Sequence, residues 1–252
     1  MIPPLRTDPA KREGTENYLG ESDSMKFNLL KGNTSQALEL PIKRLYCIGY
    51  AGRNQAKVRE HIEELAKIGV PAPPRTPTVY PVSTCLLTAG PAVTSQGKET
   101  SGEVEFVLFL EGNKIYVSVG SDHTDRELEK SSIAKSKQMC AKTVAEQVWD
   151  FDEVKDHWDS LILRSWVTDG EGKRLYQDGA ATALLPVADL LQAVKRETDA
   201  SLDGAVIYSG TVPTHGGFVF APVWDLELED PVRKRKITHR YQVQVLEQEM
   251  KA

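Results

Sequence analysis

Two short stretches carry most of the chemistry legible in this chain. One is Glu103-Val104-Glu105, at the head of the apolar run Phe106 to Leu110. The other is Asp122, at the exit of a second apolar run from Ile115 to Val119. Side chains alternate across a strand, so Glu103 and Glu105 are expected on one face and Val104 on the other. Two carboxylates held side by side repel each other unless a proton or a cation lies between them. With Asp122 arriving from a neighbouring strand, three carboxylates converge, a donor set suited to a hard divalent cation such as Mg2+ or Mn2+. The competing reading is a pair of solvated acidic strand ends.

Strands must hold these groups, and the pattern supplies them. Residues 1–24 are polar and aperiodic, which reads as a flexible N-terminal tail. Residues 25–45 form a small N-terminal region with two short strands, and 46–252 read as the main domain. Val58, Ile62, Leu65 and Ile68 recur at helical spacing, and Gly69 and the prolines after it end that helix. Arg126 to about Ala141 reads as one helix with its Lys and Ser side chains exposed. Leu161 to Val167 and Arg174 to Tyr176 read as strands joined at Asp169-Gly170. Pro186 starts a second helix with Val187, Leu190, Leu191 and Val194 on one face. Gly204 to Thr211 reads as a buried strand that breaks into a glycine-rich loop. Alternation at Asp225–Glu229 and Tyr241–Val245 marks two more strands. Strands outnumber helices and their order is mixed, so the fold class is α+β with a β-rich core.

Composition narrows the partners. The 252 residues are 40% hydrophobic and 27% charged, with a formal net charge of -5. No basic stripe dominates, which argues against nucleic acid. The run Arg233–Lys236 reads as a solvated turn or strand edge. The sequence has no apolar run long enough to span a membrane and no signal-peptide pattern at its start. Its three cysteines have no metal-type spacing and fit reduced thiols, so a cytoplasmic setting is expected. No nucleophile elbow, phosphate-binding loop or HExxH motif is present.

Several segments, in one order, resemble the fumarylacetoacetate hydrolase superfamily from about Tyr46 to the C-terminus. They are Gly52-Arg53-Asn54, then His61-Ile62-Glu63-Glu64-Leu65, the proline stretch Pro71 to Pro77, Glu103-Val104-Glu105, Ser121 to Glu129, and Ser209 to Gly217. In the Ser121–Glu129 segment, Ser121, Glu127 and Glu129 stand where the family has Asn, Asp and Gln. The resemblance implies a mixed β-roll core, a homodimer, and Mg2+ or Mn2+ held by Glu103, Glu105 and Asp122. It implies small 2-oxo or β-dicarbonyl acid substrates.

The same resemblance suggests roles for other residues. His61 and Glu64 lie three apart on a helix and would form a water-activating pair. A catalytic lysine is expected after Asp122; Lys137 is favoured over Lys135, and Lys142 also competes. Arg126 would anchor a substrate carboxylate or, more simply, brace Asp122. Gly210 and Thr211 would offer a backbone N–H and a hydroxyl to substrate oxygen. Arg53 and Asn54 would line the entrance. His123 would be an extra ligand, a second base or merely a hydrogen-bonded neighbour; a loop residue such as His215 is ordinarily exposed. Three functions compete: a metal-dependent hydrolase cleaving a C–C bond in an acylpyruvate-like or β-diketo acid, a decarboxylase or hydratase of 2-oxo acids, and a non-catalytic binding protein on the same scaffold.

Overall fold

The computed structural model describes residues 24–32, 34–67 and 72–246, so the expected tail and the segment closing the first helix lie outside the described residues. Strands β1 (Ser24–Lys31) and β2 (Thr34–Pro41) form a hairpin, followed by β3 (Arg44–Gly49), helix α1 (Gln55–Lys67) and β4 (Thr78–Val82). Short strands β5 (Leu87–Thr88), β6 (Ala92–Ser95) and β7 (Thr100–Ser101) lead to the long hairpin of β8 (Val104–Glu111) and β9 (Lys114–Asp122). Next come β10 (Thr124–Asp125), helices α2 (Arg126–Glu129) and α3 (Ile133–Met139), β11 (Lys142–Val144) and β12 (Gln147–Asp150). The chain continues through β13 (Ile162–Asp169), β14 (Gly172–Ala180), α4 (Val187–Glu197), β15 (Ala205–Tyr208), β16 (Val223–Asp230) and β17 (Arg235–Val245).

One sheet runs β2-β1-β12-β9-β8-β15-β3-β4, with β11 beside β9 and β5 beside β11. A second runs β14-β13-β16-β17-β6, and β7 with β10 makes a two-stranded ribbon. Pairing is mixed: β1–β12, β11–β5, β15–β3 and β17–β6 are parallel among antiparallel neighbours. This is the expected α+β architecture. The N-terminal hairpin joins the large sheet through β1 and β12.

The central strand β8 is covered on both sides, which is why its sequence is an almost unbroken apolar run. Val104, Phe106 and Leu108 face one hydrophobic cluster, with Trp224, Tyr241 and Leu190. Val107 and Phe109 face the other, with Phe27, Leu40 and Tyr208. By the same alternation Glu103 and Glu105 turn toward the second cluster, opposite Val104. On β9, Val117 and Val119 belong to the first cluster and Tyr116 to the second, so Gly120 and Asp122 share the face of Glu105.

The single helix expected over 126–141 is divided. α2 stops at Glu129, and Ser132 caps α3, its hydroxyl accepting from Lys135 N–H at 3.3 Å. Ser136 and Lys137, expected on an exposed face, are buried. No helix among the described residues is long and apolar enough to cross a membrane.

Candidate metal centre

Antiparallel register sets the centre. Val104 pairs with Ser121 and Glu105 with Gly120, and Asp122 N–H donates to the Glu103 carbonyl at 3.1 Å. On the other side of β9, Lys142 of β11 lies directly opposite Asp122. Glu103, Asp122 and Lys142 therefore form one row across three strands. Ligand oxygens of Glu103, Glu105 and Asp122 all lie within 4.8 Å of one another. Gly120 permits the close packing of β11: a Cβ there would sit 2.4 Å from the Thr143 carbonyl oxygen.

Charges around the centre are balanced unevenly. Asp122 is fully buried, with Lys137 Nζ on Oδ2 and Lys142 Nζ 2.9 Å from Oδ1. Burial alone would raise its carboxyl, but the two ammonium groups outweigh it and hold the group below the usual carboxylate range. Lys137 is also 3.6 Å from Glu103 Oε2. Its own burial disfavours charge, yet Asp122 and Glu103 prevail and raise its pKa, so it stays an ammonium. Glu105 is different. Its one hydrogen bond comes from Gly210 N–H (2.8 Å to Oε2), and it forms no ion pair among the described residues. Burial first and Asp122 second push its carboxyl well above the usual value. A buried acid lacking a cation of its own, facing two other carboxylates, is what a divalent ion would satisfy. The all-oxygen donor set fits a hard cation, and the three carboxylates could hold one.

The other expected residues are distributed less simply. Arg126 is at the centre but does not brace Asp122. Its Nη2 pairs with Glu103 Oε1 at 2.9 Å, Nη1 donates to Glu129 at 2.8 Å and Nε to the Ser101 hydroxyl at 2.7 Å. It holds Glu103 instead. Gly210 and Thr211 are also turned to internal work. The Gly210 N–H is committed to Glu105, and the Thr211 hydroxyl donates to the Val104 carbonyl at 2.8 Å. Gly210 has φ +88, and a Cβ there would sit 2.9 Å from both Ala51 Cβ and the Ile48 carbonyl oxygen.

Arg53 and Asn54 are engaged elsewhere. Arg53 forms a two-armed pair with Asp159 (2.8 and 2.7 Å) and donates to the Leu184 carbonyl (2.9 Å). Asn54 is the N-cap of α1, its side-chain oxygen accepting from Ala56 and Lys57 N–H. Of the His61–Glu64 pair, Glu64 is exposed on α1, while the His61 side chain lies outside the described residues. His123 is a buried neighbour rather than a facing base: its ring bonds Tyr241 OH (3.0 Å) and Thr100 Oγ1 (2.9 Å). Burial, then Lys142 and Arg126, lower its pKa to about 3, so it is neutral. Lys135 and His215 are exposed.

Sequence reasoning ranked Lys142 behind Lys137 and Lys135, and missed Gln177, Tyr80 and Phe218. The Lys137 ammonium lies 5.9 Å from the Tyr80 ring, and the Arg126 guanidinium stacks 4.1 Å from the Phe218 ring, itself 54% exposed. Glu103, with a side chain 16% exposed, marks the open side between them.

A family model matches residues 48–241. The chain belongs to that family, described as a protein of unknown function (DUF2848). No curated protein matches it by sequence. Its fold is that of the fumarylacetoacetate hydrolase superfamily. A Burkholderia cenocepacia protein described provisionally as a fumarylpyruvate hydrolase superposes with a TM-score of 0.62 at 14% identity, covering 95% of this chain and 99% of its own. A yeast fumarylacetoacetate hydrolase family protein gives 0.59 at 19% identity, over 81% and 94%. A 2-keto-3-deoxy-D-arabinonate dehydratase complexed with magnesium and 2,5-dioxopentanoate gives 0.55 at 16% identity, over 80% and 73%.

Proposed function

We propose that this DUF2848 protein is a divalent-metal-dependent enzyme that cleaves a C–C bond in an acylpyruvate-like or β-diketo acid, with Mg2+ or Mn2+ as its cation and a homodimer as its working form. The observation that carries the reading is the carboxylate trio of Glu103, Glu105 and Asp122 within 4.8 Å, closed by a buried lysine. Supporting it are the shared fold with a fumarylpyruvate hydrolase-like protein and the magnesium complex of a dehydratase on that fold.

In this reading Glu103, Glu105 and Asp122 hold the ion. Bound there, it would supply Lewis acidity toward a 2-oxo acid and the negative charge that develops as the bond breaks. Lys137, held as an ammonium by Asp122 and Glu103, would donate a hydrogen bond to the same developing charge. Arg126 keeps Glu103 in place, and Gly210 N–H does the same for Glu105. Tyr80 and Phe218 flank the open side and would exclude water from one wall. His61 would activate the attacking water, with Glu64 orienting it.

A second reading, a decarboxylase or hydratase, has its own support. Lys137, a buried proton-bearing group, lies on Asp122 and 3.6 Å from Glu103, within reach of the same centre. Such chemistry requires no water-activating base.

The test is Mg2+ and Mn2+ calorimetry on chelator-treated protein beside a Glu103→Ala/Glu105→Ala variant. Binding in the wild type that vanishes in the variant is expected. Absence of binding in the wild type would end the metalloenzyme reading. Screening with 2-oxo and diketo acids would follow, and a His61→Ala variant that keeps full turnover would select the lyase.

A further inference from the structure

Gln177 is fully buried and belongs to β14, on the second sheet rather than on the sheet that carries the carboxylates. It gets there through a β-bulge. Between β13 and β14 the register passes from Ser165↔Gln177 to Trp166↔Leu175, leaving Tyr176 as the extra residue. Leu175 faces out, while Tyr176 and Gln177 both turn inward, although they are consecutive.

All four hydrogen-bonding positions of its amide are used. Oε1 accepts from Val104 N–H at 3.0 Å and from the Ser165 hydroxyl at 2.9 Å. Nε2 donates to Thr211 Oγ1 at 2.8 Å and to the Val212 carbonyl at 2.6 Å. The Thr211 hydroxyl then donates to the Val104 carbonyl. Val104 is thus gripped at its N–H directly and at its C=O through Thr211, and Val104 is the residue between Glu103 and Glu105. The same loop delivers Gly210 N–H to Glu105 Oε2. Thr214 closes the link by a β-bridge to Gln177.

Resting on the metal-centre reading above, we propose that Gln177 is its positioning residue. It sets the separation of Glu103 and Glu105 and locks that spacing to the loop 209–214, so that ion binding and loop order are coupled. An Asn would be too short to span the two strands. A Glu would keep both acceptor contacts but present an acceptor to the Val212 carbonyl, where a donor is needed. Partners of this kind around metal ligands commonly change affinity by about 10–100-fold.

The experiment compares wild type, Gln177→Met and Gln177→Glu in three measurements: Mg2+ affinity by calorimetry, amide hydrogen exchange of residues 209–214 with and without Mg2+, and thermal unfolding in chelator. The expected result is Mg2+ affinity weakened at least about tenfold in both variants. Mg2+ should slow exchange across 209–214 in the wild type but not in Gln177→Met. A purely structural glutamine would lower the unfolding temperature in chelator and leave affinity within twofold; that result overturns the proposal. If Gln177→Met does not fold, Thr211→Val removes the arm to the Val104 carbonyl and one acceptor of the Gln177 amide, leaving the amide's other three contacts in place. A severalfold loss of affinity there supports the proposal, and unchanged affinity overturns it. A wild type that binds no Mg2+ overturns both this inference and the function on which it rests, whereas equal binding in wild type and variants overturns the inference alone.

Discussion

Replacing Lys142 with Met tests the charge arrangement directly. The methionine fills nearly the same volume but withdraws an ammonium 2.9 Å from Asp122 Oδ1, at a position with no solvent exposure on either partner. The gross attraction at that distance is about 6 kcal/mol at an effective dielectric of about 20. Desolvation offsets part of it, and breaking a buried pair from one side typically costs about 3–5 kcal/mol. Lys137 remains on the other oxygen, so the lower end, about 3 kcal/mol, is expected. At about 2–4 °C per kcal/mol for a chain of this size, the metal-free melting temperature should fall by about 6–12 °C. The sign with pH follows from the lowered carboxyl of Asp122. Its stabilisation is present above the unfolded value near about 3.9 and is lost as pH falls through the folded value. The folded value rises in the variant, so the gap between the two proteins should be widest at neutral pH and narrow on acidification. Saturating Mg2+ should also narrow it, because the ion restores the missing positive charge. Scanning calorimetry in chelator from pH 2 to 8, repeated with Mg2+, reads all three effects. A loss below about 2 °C in chelator, or a gap indifferent to pH, would show that Lys142 does not balance Asp122.

Two further outcomes are expected. The Glu105 carboxyl, raised by burial and by Asp122, favours folding below its unfolded value of about 4.3, and this contribution is lost as pH rises through the folded value. Mg2+ uptake should therefore expel its proton and strengthen as pH rises; equal calorimetric heats in two buffers of different ionisation enthalpy would contradict this. Gly210→Ala places a Cβ 2.9 Å from Ala51 Cβ and the Ile48 carbonyl oxygen at φ +88, and should cost about 1–3 kcal/mol in urea unfolding along with weaker Mg2+ binding.

The acidic centre was legible because it obeys local rules. Glu103 and Glu105 share a face through the period of two, and Asp122 leaves a hairpin partner strand, so pairing alone brings them together. Motif position misled where local roles were stronger. Asn54 stands one residue before a helix, and an Asn there caps the helix before it does anything else. Arg53 met a carboxylate from a residue 106 positions away, which no local pattern announces. Gly210 and Thr211, read as donors to substrate oxygen, have their donors turned to Glu105 and the Val104 carbonyl.

By itself, the sequence determined the convergence of the three carboxylates and the α+β class with its β-rich core, since these follow from strand periodicity and turn chemistry within short stretches. Only the tertiary structure decided which lysines meet Asp122 and which amide holds the pair apart. Lys142 lies opposite Asp122 because β11 adds to the far edge of β9, and Gln177 turns inward because of a one-residue bulge. Both depend on register between distant strands, and register is fixed by packing of the whole sheet rather than by the residues around either side chain.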